Sequence, residues 1–197
     1  MTVHTATPAP MGTMTVDEFL LFLESRPDED HWDLIDGVAV MMAPPTYAHQ
    51  RISYNLQSLL NGHFGAKGLD LFAYQEAGVR VAGLDNFMPR PGVAAVPGIA
   101  GDEYYSTAFR FVAEVLSPSN TRRLTGQKLQ RYRDSAECLS VLIVDSRRIW
   151  AELHSRGEAW TAQTLDDPAA AITLPAFGFT CRLGELYRGT VLEPGRM

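Results

Sequence analysis

The chain has 197 residues, 46% of them apolar and 20% charged, the make-up of one globular domain with a core of ordinary size rather than a disordered or fibrous chain. Its 17 basic residues divide into 15 Arg and 2 Lys (Lys67 and Lys128) against 23 acidic ones, for a net charge of −6. A generally basic coat is excluded, so any contact with nucleic acid must use a local patch.

Residues 1–13 are rich in Thr, Ala and Pro and lack periodicity, which predicts a flexible tail. They contain no basic stretch followed by an apolar core, and no apolar run approaches the ~20 residues of a membrane helix, so a cytoplasmic protein is expected. Order should begin at Thr15, where Thr15-Val16-Asp17-Glu18 makes a capping box for a short helix with Phe19, Leu20, Phe22 and Leu23 on its apolar face. Between Trp32 and Met42, two apolar runs flank Asp36-Gly37, a strong signal for a tight hairpin. Tyr47 to Phe64 carries Ile52, Leu56, Leu59, Leu60 and Phe64 at helical spacing.

Strand patterns follow over Leu69–Val81 and Phe87–Val96, with a turn through Gly83–Asn86; Pro89 and Pro91 put the second segment at an edge or a strand entrance. Phe109–Leu116 reads as a buried strand, broken by Ser117-Pro118-Ser119-Asn120 before a helix over Thr121–Asp134. Leu139–Val144 reads as a second buried strand. Ile149–Leu153 with Trp160–Thr164 suggests a hairpin, and Phe179–Leu186 a last strand and short helix. Neighbouring strands without regular βα alternation favour a mixed α/β sheet flanked by helices. One domain is expected over residues 14–188, with a second tail over 189–197. Cys138 and Cys181, both in apolar stretches read as strands, are expected to be buried thiols rather than a disulfide or metal ligands.

Glu114 breaks the apolar run Phe109-Arg110-Phe111-Val112-Ala113-Glu114-Val115-Leu116. Strand alternation puts Phe109, Phe111, Ala113 and Val115 on one face and Arg110, Val112, Glu114 and Leu116 on the other. A carboxylate so placed must be paired, hydrogen-bonded or neutral. It is either the partner of a structural Arg or a metal ligand or catalytic acid at a strand end. In the following helix, Arg122, Arg123, Lys128, Arg131 and Arg133 are five cations without an acid among them. A solvated basic face accounts for Arg131 and Arg133. Lys128 instead shares a stripe with Leu124 and Tyr132, which should look inward.

A strand bearing Glu, a Ser-Pro-Ser-Asn turn and a helix returning a Lys resemble the restriction-endonuclease-like, or PD-(D/E)XK, nuclease fold. More narrowly, the chain resembles the Uma-two family of restriction endonucleases. The match lies in Met14–Phe19, Asp33-Leu34-Ile35-Asp36-Gly37, Ala113–Ser119, Gly126–Tyr132 and Leu142–Asp145, and spans roughly residues 14–187. The resemblance implies DNA as substrate and hydrolysis by a water activated on Mg²⁺ or Mn²⁺, hard ions that take carboxylate oxygens. It gives the metal-binding Glu role to Glu114. It gives the Lys role to Lys128, because Leu116 stands where the superfamily motif has its Lys. It also implies a site role for Asp33, which replaces the family's first-strand Glu, and for His49, which is either a phosphate contact at the start of the long helix or an ordinary surface His there. Arg122 and Arg123 form the neighbouring patch for nucleic acid, and a homodimer suits cutting of both strands.

Two departures bear on this. The family's Pro-Asp-Val-Ala carries the metal-binding Asp, and here the text is Pro91-Gly92-Val93-Ala94. One turn before Lys128 the family commonly has an acid, and here it is Leu124. Asp85 and Asp102 are the carboxylates left to stand in for the missing Asp. Two functions therefore stay open: a metal-dependent DNA endonuclease, inactivated or not by Gly92, and a non-catalytic nucleic-acid- or protein-binding remnant of the fold. A third is an oligomer whose Arg-rich helix faces another subunit.

Overall fold

A computed structural model describes residues 13–27, 29–98, 101–117 and 121–195. In chain order the elements are α1 (Val16–Glu24), β1 (His31–Ile35), β2 (Val38–Met42), α2 (Tyr47–Lys67), β3 (Leu71–Gln75), β4 (Gly78–Val79), β5 (Val93–Pro97) and β6 (Tyr105–Ser106). They continue with β7 (Phe111–Leu116), α3 (Arg122–Asp134), β8 (Ser140–Asp145), β9 (Ala151–Ser155), β10 (Gln163–Leu165), β11 (Ala171–Leu174), β12 (Phe179–Arg182) and α4 (Leu183–Leu186). The expected mixed α/β architecture is present. The central sheet has six strands in the order β10-β9-β8-β7-β5-β3. Every pairing in it is antiparallel except β7 with β8, which α3 joins as a crossover.

One face of the sheet packs Val93, Ala95, Phe111, Ala113 and Val115 against Ile52, Leu56, Leu60 and Phe64 of α2. The C-terminal β11–β12 pair and α4 extend this core through Ile172, Leu174, Leu183 and Leu186. The other face packs Ala94, Val112, Val141 and Ile143 under α3 through Tyr132. Alternation along β7 thus holds from Phe111 onward and turns Glu114 toward α3. Phe109 departs from it. It precedes the strand and lies on the α3 side, edge-on to Tyr132 at 6.1 Å.

The capping box at Thr15 forms as expected, with Thr15 Oγ1 accepting from Glu18 N and Glu18 accepting from Thr15 N. The β1–β2 hairpin turns through Asp36 (φ 50°) and Gly37 (φ 80°), the paired positive φ of a type I′ turn. Gly37 is required for a second reason: a Cβ there would stand 2.8 Å from Thr13 Cβ. On the helix side, Gln127 donates to Asp36 at 3.0 Å and Arg131 at 2.6 Å, which docks the hairpin on α3. Arg131 is therefore a tether rather than a solvated charge, and Arg133 stacks over Trp160 at 5.8 Å.

Other expectations shift. The long helix runs three residues further, to a left-handed Gly68 cap. The segment Leu69–Val81 breaks at Glu76 (φ 52°) into β3 and β4. The strand expected from Phe87 begins only at Val93, because Pro89 and Pro91 lack the amides a ladder needs; only Met88 pairs earlier, with Leu34. Cys181 lies in β12, whereas Cys138 precedes β8; both are free and buried. Residues 1–12 of the expected tail and 118–120 of the expected turn lie outside the described residues. No helix among the described residues is long and apolar enough to cross a membrane.

Candidate active site

Three elements bring Asp33, Glu114 and Lys128 together, although they are far apart in sequence. The hairpin supplies Asp33 from β1, β7 supplies Glu114, and α3 lays Lys128 over both. The Lys128 ammonium stands 2.9 Å from Asp33 Oδ2 and 3.2 Å from each Glu114 oxygen. All three residues are buried, with 2%, 7% and 2% of their surfaces exposed. Glu114 Oε1 also accepts from the Tyr132 hydroxyl at 2.5 Å, and Asp33 Oδ1 accepts from Arg90 N at 3.0 Å. The partner of the anomalous strand carboxylate is therefore Lys128, not an Arg.

Burial alone would push the Lys128 ammonium down. Asp33 and Glu114 outweigh it and hold the group above its ordinary 10.5, so it stays charged. Burial pushes Glu114 up, opposed by Lys128 and by the Tyr132 hydrogen bond. Tyr132 is raised well above its ordinary 10.0, first by burial and then by Glu114, so its hydroxyl remains a donor.

These groups line a cleft of about 60 Å³ whose walls include His31, His49, Glu76, Arg90 and Gly92. Register explains the position of Gly92. Val93, the first residue of β5, pairs with Ala113 on one side and with Gln75 on the other, so Gly92 and Glu76 lie just beyond the paired strands, at the sheet end where Glu114 lies. A Cβ at Gly92 would meet Ser53 Oγ at 3.2 Å and Ala113 O at 3.4 Å. Its φ lies outside the left-handed region, so the backbone makes no demand for glycine here. Beside this position, Ser53 Oγ and His49 Nδ1, one turn apart on α2, are buried without hydrogen-bond partners.

The α2 start is fixed by Thr46, whose hydroxyl accepts from His49 N. Burial lowers the His49 pKa from its ordinary 6.5; Glu76 and the Val115 backbone oppose this, and Lys128 adds to it. A lowered folded pKa means the unfolded chain binds more protons just below 6.5, so this contribution to stability is present above 6.5 and lost as pH falls through the folded pKa. Urea titrations from neutral pH to about pH 5 should show less acid sensitivity for His49→Gln than for the parent chain.

Arg122 and Arg123 are exposed at the first turn of α3 and do not line the cleft. Asp85 does not reach the site: it is 64% exposed, pairs with Arg80 and lies outside the cleft. Asp102 is likewise exposed and outside it. Tyr132 and Arg90 are site residues that sequence reasoning missed. The first was signalled by its place one turn after Lys128, the second only by its neighbour Pro91. Glu76 and Ser53 carried no signal at all.

The residues present do not fit a Mg²⁺ or Mn²⁺ centre. Such ions take about six oxygen ligands and need carboxylates free to bind them. Gly92 has no donor, Asp33 and Glu114 are already committed to one ammonium, and among the described residues no three His, Cys, Asp or Glu could hold an ion together. Of the two orphaned atoms, Ser53 Oγ is the nearest atom a Cβ at position 92 would meet.

A search among curated proteins gives no match. Among solved structures, the chain is similar to a protein from Anabaena variabilis ATCC 29413 described as "a putative nuclease belonging to DUF820", with a TM-score of 0.71 and 17% identity over 88% of this chain and 97% of that one. That likeness is one of fold. Residues 16–184 match the family Uma2, described as "Putative restriction endonuclease", and by this match over most of its length the chain belongs to the Uma2 family.

Proposed function

We propose that the chain is a restriction-endonuclease-like protein directed at DNA whose metal-dependent phosphodiester hydrolysis is disabled at position 92, leaving a nucleic-acid-binding protein. The observation that carries this reading is Gly92, side-chain-free, in the wall of the cleft that Asp33, Glu114 and Lys128 also line. Hydrolysis of a phosphodiester piles negative charge on the reacting phosphorus and on the leaving oxygen, and it needs cations to meet that charge. Of the two cations that line the cleft, Lys128 and Arg90, the buried Lys128 is already matched by two carboxylates. Asp33 and Glu114 thus occupy the ammonium that would otherwise meet a phosphate.

Binding is a separate matter. Arg122 and Arg123 stand free of the cluster at the start of α3, where exposed guanidiniums meet phosphates without passing through the cleft. We expect work in the cytoplasm as a homodimer, since a duplex presents two equivalent strands.

Plasmid nicking with Mn²⁺ tests the loss of chemistry. The parent chain should leave supercoiled DNA intact, Gly92→Asp should nick it, and Gly92→Asp with Glu114→Ala should not; robust cutting by the parent overturns the reading. In retardation assays, Arg122→Ala with Arg123→Ala should reduce the salt slope of duplex binding by about two, one for each lost phosphate contact.

A further inference from the structure

A second concavity, of about 740 Å³, lies along the first two turns of α2. Its helical wall carries Tyr47, Arg51 and Tyr54, spaced i, i+4 and i+7 on one stripe. Gln50 and Gln75 add amides, and Val191 closes the far side. This wall is exposed, with Tyr47 at 91%, Tyr54 at 52% and Val191 at 89%. Two tyrosines with open faces serve no core, and Arg51 lies 5.6 Å from the Tyr54 ring.

The groove is built rather than incidental. Asn55 donates to the carbonyls of Leu186 and Arg188, both at 2.8 Å, which pins the C-terminal wall to α2. Gln75 donates to Gln57 at 2.7 Å, and Gln57 donates to Ala73 O at 3.0 Å, which fixes the β3 side. Gly189 (φ 75°) leaves the space against which Arg51 lies, since a Cβ there would be 3.4 Å from Arg51 Nε.

Its chemistry selects the occupant. The chain carries a net charge of −6, yet this groove contains no carboxylate and one Arg. Aromatic faces with an interleaved Arg and amides suit bases that are free to stack and a backbone that carries phosphate. The volume lies in the ~300–1,000 Å³ range of pockets for molecules of nucleotide size.

We propose that this groove holds unpaired nucleotides of a single nucleic-acid strand, stacked on Tyr47 and Tyr54 with Arg51 on the phosphate. This rests on the reading of the scaffold as directed at nucleic acid, and it names the substrate class as single-stranded at this point. The test is fluorescence anisotropy of the full chain with a labelled oligothymidylate and with a duplex of equal length. Oligothymidylate binding should weaken about 10-fold for Tyr54→Ala and for Tyr47→Ala, and Tyr54→Phe should restore it, because a phenyl face stacks as well. Both tyrosines are exposed, so circular dichroism should be unchanged. Oligothymidylate binding that ignores both tyrosines, alongside duplex binding that falls with Arg122→Ala and Arg123→Ala, overturns the groove and leaves the wider reading intact. Failure to bind either nucleic acid overturns both, as does capture of the tyrosine face by a protein partner with no nucleic acid bound.

Discussion

Glu114→Ala should unfold in urea with about 3–5 kcal/mol less stability than the parent chain, the usual cost of breaking a buried ion pair from one side. The substitution leaves the Lys128 ammonium with Asp33 alone and strips the Tyr132 hydroxyl of its acceptor, in a site where neither group reaches water. Glu114→Gln should cost less, since its amide oxygen can still accept from Tyr132. Lys128→Met is also costly, because it leaves two carboxylates facing each other across the cluster. Together, Glu114→Gln and Lys128→Met should cost less than the sum of the single losses, with a coupling of about 1–3 kcal/mol. A Glu114→Ala chain within about 1 kcal/mol of the parent, without coupling, would mean a hydrated cluster in which each charge is served by water.

In the protein as it stands, Lys128 holds β1, β7 and α3 together and so acts as part of the core. That is consistent with the neutral, hydrogen-bonding Tyr132 and with the Arg90 amide on Asp33, both of which satisfy carboxylate oxygens that a metal would otherwise take.

Much of the fold was legible because its signals are local. Asp36-Gly37 writes its own turn, Thr15 and Glu18 cap each other, and Leu124, Lys128 and Tyr132 declare the inward stripe of α3. The stripe turned Lys128 inward and the alternation of β7 set Glu114 apart from Phe111, Ala113 and Val115, but only the family resemblance put the two in one site. Signals that depend on distant partners were not legible. Arg131 looked like a solvent-facing cation because Asp36, its tether, is on the hairpin. The start of β5 was misjudged by several residues because an apolar run through Pro89 and Pro91 keeps the composition of a strand while losing its amides. β11 was missed because Ala171–Leu174 is only four residues long and is a strand through its pairing with β12. Ser53 reads as an ordinary helix-face polar residue until the sheet brings Gly92 against it, and no periodicity reveals that Tyr47 and Tyr54 are left uncovered.

The resemblance to the nuclease family singled out Asp33, Glu114 and Lys128, which the fold brings together, and Gly92 is the departure beside them. An Asp at this position is compatible with the backbone, and the one tight contact of its Cβ is a hydroxyl on a rotatable side chain, Ser53 Oγ at 3.2 Å. Its carboxylate could accept from the orphaned Ser53 hydroxyl. Gly92→Asp should therefore fold, and pairing it with Ser53→Ala relieves the contact if the hydroxyl does not turn aside.

Titration of Mn²⁺, followed by the paramagnetic resonance signal of the free ion, is the most direct test of the disabled centre, because it reads the ion without requiring any cleavage. Gly92→Asp should bind Mn²⁺ at least about 10-fold more tightly than the parent, and Glu114→Ala added to it should remove the gain. Binding by the parent chain as tight as that of Gly92→Asp would contradict the account.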